Sequence, residues 1–134
     1  MCFYIDSKHQ DIKTASKDIV CYKVMYERKR DYAPVLLSPF IGAAYDYNKL
    51  YELSSNIEVV KCFLTGGNDY YGSIYEGFHS YTKLRRAVNF IGANAIVVKC
   101  IIPKGTKYYL SDEYDEYVSD KIIITEKLMD LIKI

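Results

Sequence analysis

The side chains best suited to chemistry are scattered along this chain. Its four cysteines are Cys2, Cys21, Cys62 and Cys100, and its two histidines are His9 and His79. No C-x-x-C pair occurs, and the histidines do not stand at zinc-finger spacing, so a metal site is not expected. Cys21 and Cys100 lie inside apolar, strand-like runs, where a free thiol behaves as a small hydrophobe. The acidic run Asp112-Glu113-Tyr114-Asp115-Glu116 lacks the alternating ligands and central glycine of a calcium loop and reads as a solvated loop. Arg28-Lys29-Arg30 and Arg85-Arg86 read as a solvated turn and a solvated helix face. Lysine plus arginine number 18 against 17 acidic residues, a formal net charge of +1. That balance makes nucleic acid an unfavoured partner.

The elements that must position these groups read mainly as strands. Asp18 to Met25 is nearly continuous in apolar residues and fits a central strand. Ile57 to Phe63 alternates like a strand, and further strands are expected at about 95–102, 106–110 and 120–126. Glu27 to Asp31 reads as a charged turn, Thr65 to Asp69 as another, and residues 33–56 are hard to assign. One helix is expected from about Tyr81 to Ile91, with Leu84, Val88 and Ile91 facing the core. Ser80 or Thr82 would cap its start and Gly92 its end. Residues 1–18 read as an irregular arm or short helix. The apolar tail from Leu128 should dock on something.

With 134 residues, half of them hydrophobic, the chain suits one domain with one core. No apolar run approaches a membrane span. The start lacks the basic and apolar regions of a signal peptide, so a cytoplasmic protein is the expectation. Fifteen tyrosines and no tryptophan fit a coding bias first and an aromatic interface second.

Three blocks, taken together, resemble the core of the arginine-type ADP-ribosyltransferases. Val20-Cys21-Tyr22-Lys23-Val24 resembles that family's early arginine strand, with Lys23 at the arginine's place. Gly77-Phe78-His79-Ser80-Tyr81-Thr82 resembles its Ser-Thr-Ser segment. Ile101 to Thr106, followed by Ser119-Asp120-Lys121-Ile122, resembles its Pro-Lys-Gly-Thr turn and late glutamate strand, with Lys121 at the glutamate's place. Read alone, Pro103-Lys104-Gly105 is an ordinary hairpin turn. The whole chain is also similar to a small group of phage, prophage and gut-bacterial proteins sharing the Met-Cys start, the Gly-Phe-His-Ser block and the Ile-Pro-Lys-Gly-Thr-Lys-Tyr-Tyr block.

The elements read as a strand-dominated α+β domain over residues 1–134, and the resemblance implies an ADP-ribosyltransferase-like scaffold with a cleft holding an NAD-derived or cyclic nucleotide. In that cleft Lys23, Ser80, Thr82 and Lys121 would meet phosphates, and Tyr22, Phe78, His79 and Tyr109 would form walls. It does not imply an intact catalytic set. Lysine cannot reproduce the arginine's bidentate fork, and a cation opposes a positively charged transition state. No cofactor is expected beyond an NAD- or ADP-ribose-like ligand. The phage likeness suggests a counter-defence factor that sequesters such a signal. Two alternatives remain open: a divergent transferase or NAD glycohydrolase using Asp120 or an acid of residues 112–116, and a factor that binds a host protein or its own copies.

Overall fold

A computed structural model describes residues 3–6, 12–30, 33–37, 44–54, 57, 60–63, 70–74, 77–89, 95–111 and 114–131. Strands dominate them: β1 (Phe3–Asp6), β2 (Lys13–Thr14), β3 (Ile19–Arg30), β4 (Ala33–Leu37), β5 (Ala44–Tyr45), β6 (Leu50–Glu52), β7 (Val60–Phe63), β8 (Tyr70–Ile74), β9 (Phe78–Tyr81), β10 (Ala95–Ile102), β11 (Lys107–Ser111), β12 (Glu116–Ser119) and β13 (Lys121–Asp130). One short helix, α1 (Leu84–Val88), lies between β9 and β10. No helix among the described residues is long and apolar enough to cross a membrane.

The main sheet runs β2-β11-β12-β9-β3-β10-β13-β6, and β4 and β5 extend from the far half of β3. All its pairings are antiparallel. Three strands separate β12 from β13 in this order, yet Asp120 alone links them in the chain. One residue cannot span four inter-strand spacings of about 4.8 Å. The sheet therefore curls on itself until the end of β12 meets the start of β13. Asp120 marks the join: its N–H donates to the Lys107 carbonyl at 3.1 Å, and its carbonyl accepts from the Leu53 N–H at 2.9 Å.

Strand alternation gives the curl an inside and an outside. Cys21, Met25, Ile96, Val98, Cys100, Ile102, Ile122 and Ile124 point inward and form the largest core cluster. On the outside, α1 covers Val24, Ala95 and Val97 through Ala87 and Leu84. A second sheet, β1-β8-β7, brings Ile74 against Tyr109 and Val118. β10 is buried on both faces from Ala95 to Val98, which is why its sequence is continuously apolar.

Several expectations are corrected. The helix is Leu84–Val88, shorter than 81–91, because Ser80 and Tyr81 are held in the β9–β12 ladder opposite Tyr117 and Glu116. Its cap residue is Lys83, with no side-chain cap bond, and Ala87 rather than Val88 is its buried anchor. Ile91 and Gly92 lie outside the described residues, as do His9, the turn at 65–69 and the end of the tail. The expected charged turn at 27–31 is strand through Arg30, because β4 pairs along it. The expected irregular arm holds β1 and β2, and the Ala15 N–H donates to the Thr106 carbonyl at 2.8 Å. A turn does form at Pro103–Thr106, closed by the Thr106 N–H on the Pro103 carbonyl at 3.1 Å, with Gly105 at φ +87°. It is no hairpin, since β10 and β11 are not sheet neighbours. In the acidic run, Glu116 is buried at the start of β12 rather than solvated.

Candidate functional site

Lys23 and Ser80 share the inside of the curl. Lys23 is only 8 % exposed, and its Nζ donates to the His79 carbonyl oxygen at 2.7 Å. β3 and β9 meet in the ladder at Tyr22 and Tyr81, and the lysine amine adds a side-chain bond between the same two strands. Burial away from water pulls the Lys23 pKa below its ordinary value, with the Cys100 and Cys21 thiols opposing that shift. Ser80 Oγ is buried and makes no full hydrogen bond among the described residues; its polar neighbour is the Cys21 thiol. Phe78 packs against the same inner core.

Lys121 lies on the other side. Its neighbours Ile122 and Ile124 point inward, so Lys121 points outward, where Nζ stands 3.7 Å from Glu52 Oε1 on the facing strand. Tyr22 and His79 alternate outward with it, and Tyr22 packs beside the α1 cluster. Tyr109 is covered by Ile57 and Ile74. Thr82 sits in the bend before α1, its N–H on the Asp115 carbonyl at 2.8 Å. The four expected phosphate contacts are thus not brought to one cleft. Lys23 and Ser80 are sealed inside, Lys121 is outside, and Thr82 is at the α1 corner.

The acids carry structural duties. Asp120 Oδ1 accepts from the Lys107 N–H at 3.3 Å, fixing the join of the curl. Asp115, a turn residue at φ +52°, binds Arg86 Nε at 2.9 Å and Lys83 Nζ at 3.4 Å. The hydrogen bond from Arg86 holds its carboxyl below the usual range. Burial pushes the Glu116 carboxyl up instead. No group of three or more potential metal ligands occurs among the described residues.

The outer face shows what sequence reading missed. Val20 lies opposite Ile101 on β10, Ile101 opposite Ile123 on β13, and Ile123 opposite Leu50 on β6. Four aliphatic side chains therefore form one row across four adjacent strands. Val20 is 45 % exposed and Leu50 48 %, and Ile101 and Ile123 are partly exposed. Charged pairs flank the row: Lys99 with Glu126 at 3.8 Å on one side, Lys121 with Glu52 on the other. Val20, Ile101 and Ile123 sit in runs that read as fully buried strand, and Leu50 falls in the unassigned segment. Only cross-strand register reveals that they align.

Compared with known proteins, the chain matches no family model, no curated protein and no solved structure.

Proposed function

We propose that this protein works by docking another protein on the outer row Val20–Ile101–Ile123–Leu50. The carrying observation is the register that sets four partly exposed aliphatic side chains side by side. An apolar centre with a charged rim is how protein-binding surfaces are built, and soluble chains seldom leave such residues contiguous without use. Three strand spacings make the row about 14 Å long. Covering it contributes on the order of 1 kcal/mol per side chain before ordering costs, which suits a transient partner. The loose pairs at Lys99 and Lys121 offer both signs of charge for orientation. The test is a double variant, Val20→Asp with Leu50→Asp. It should keep the parent melting temperature and lose the partner bound by the parent. Unchanged binding by the folded variant would refute the reading.

A second reading rests on Tyr22, Lys99 and Lys121, which share that outer face. On this reading the chain is a degenerate ADP-ribosyltransferase-like scaffold that holds an NAD-derived or cyclic nucleotide and sequesters it as a counter-defence factor. Phosphates would sit on the outer lysines, not on Lys23, and the ring on Tyr22. Calorimetry with NAD, ADP-ribose and cyclic nucleotides decides it. Binding weakened by Lys99→Ala and Lys121→Ala supports it, and no heat with any of them ends it.

A further inference from the structure

We infer that Cys21 and Cys100 form an oxidisable dithiol inside the curl, which a hydroperoxide converts into a disulfide between β3 and β10. The two are direct cross-strand partners. Directly opposed residues of an antiparallel pair have Cα atoms about 4.5–5.5 Å apart, within the 4.4–6.8 Å or so that a disulfide spans. Both side chains point into the same inner core. The neighbouring Cys100 thiol, and after it Ser80 and the Lys23 amine, pull the Cys21 pKa down against the effect of burial. Burial and the neighbouring Cys21 thiol raise the pKa of Cys100 well above its usual value. Cys21 shares the inward face of β3 with Lys23, two residues further on, which makes it the attacking thiol, with Cys100 opposite to resolve it.

Lys23 completes the chemistry. It lies two residues from Cys21 on the same inward face of β3 and is buried with it, so the free amine stands where it can take the Cys21 proton. The Cys21 thiolate attacks one oxygen of hydrogen peroxide. The O–O bond breaks, and the leaving hydroxide takes the proton back from Lys23 as water. Cys21 is then a sulfenic acid. The Cys100 sulfur attacks it, the S–O bond breaks, and the second hydroxide leaves with the Cys100 proton, again as water. Two thiols are oxidised, one peroxide is reduced, and Lys23 ends as it began. Both thiols are fully buried, so the oxidant must be small. The seam beside Lys23, where β3 and β9 share a single ladder pair, is the entry route assigned to it.

The test uses the full chain with Cys2→Ser and Cys62→Ser, so that only this pair can react. Treated folded with hydrogen peroxide, it should lose two hydrogens by intact mass, show Cys21 linked to Cys100 in a non-reducing peptide map, and recover with dithiothreitol. Adding Cys100→Ser should arrest the reaction at a sulfenic acid that dimedone traps on Cys21. Adding Lys23→Met should slow oxidation several-fold. If both thiols stay alkylatable after treatment while the urea-unfolded chain oxidises, or if oxygen adducts appear without the cross-link, the inference is overturned. A Lys23→Met chain that oxidises as fast as its parent overturns the role given to Lys23.

Discussion

Lys23 Nζ and the His79 carbonyl oxygen lie 2.7 Å apart, between two strands whose ladder holds a single pair. A buried amine thus ties the two strands through a side chain. The sign of its pH effect follows. The folded pKa is depressed, so between that value and the unfolded value of about 10.4 the unfolded chain binds more protons. The penalty for burying the charge is full below the folded pKa and disappears as pH rises through the window. Stability relative to Lys23→Met should therefore increase with pH across that window and level off above it. Urea midpoints of both proteins, measured in parallel, check this. A constant difference would place Lys23 in solvent.

The curl makes neighbouring isoleucines unequal. Ile122 and Ile124 are fully buried inside, while Ile123 faces out and is partly exposed. Ile122→Ala and Ile124→Ala should each cost about 2–5 kcal/mol, and Ile123→Ala less than about 1 kcal/mol. Chemical denaturation reads the difference. Three equal losses would mean that β13 is buried on both faces.

Gly77 enters β9 at φ +136°, and a Cβ there would stand 2.5 Å from Val118 Cγ2. Gly105 has φ +87° with open space around its Cβ position. Gly77→Ala should therefore destabilise by more than the roughly 1 kcal/mol of backbone strain expected at Gly105→Ala. Thermal melts of the two variants rank them, and a reversed order would contradict the close approach of Gly77 to β12.

Much of the sheet was legible and the sidedness was not. β10 lies where its apolar run predicts, and β11 and β13 begin within a residue of their expected starts, because Val, Ile and Tyr bounded by turn residues carry a strong strand signal. The length of β3 was hidden: Arg28, Lys29 and Arg30 look like a turn until β4 pairs along them. Ser80 and Thr82 look like helix caps, yet Ser80 is fixed in a ladder by Tyr117. Lys23 and Lys121 were placed in one cleft by resemblance. Inward or outward orientation depends on register with strands far away in the chain, which no local pattern encodes.

The docking surface is tested most directly by photo-crosslinking from single positions in cells that make the protein. A photoreactive side chain at Val20 or Leu50 samples the row. One at Tyr114, equally exposed at 49 % but on the β11–β12 turn, is the control. The row positions should yield one saturable crosslinked protein that excess parent competes away and the Val20→Asp, Leu50→Asp variant does not, with no such product from Tyr114. Equal crosslinking from all three positions, or a product from Tyr114 alone, would contradict the account.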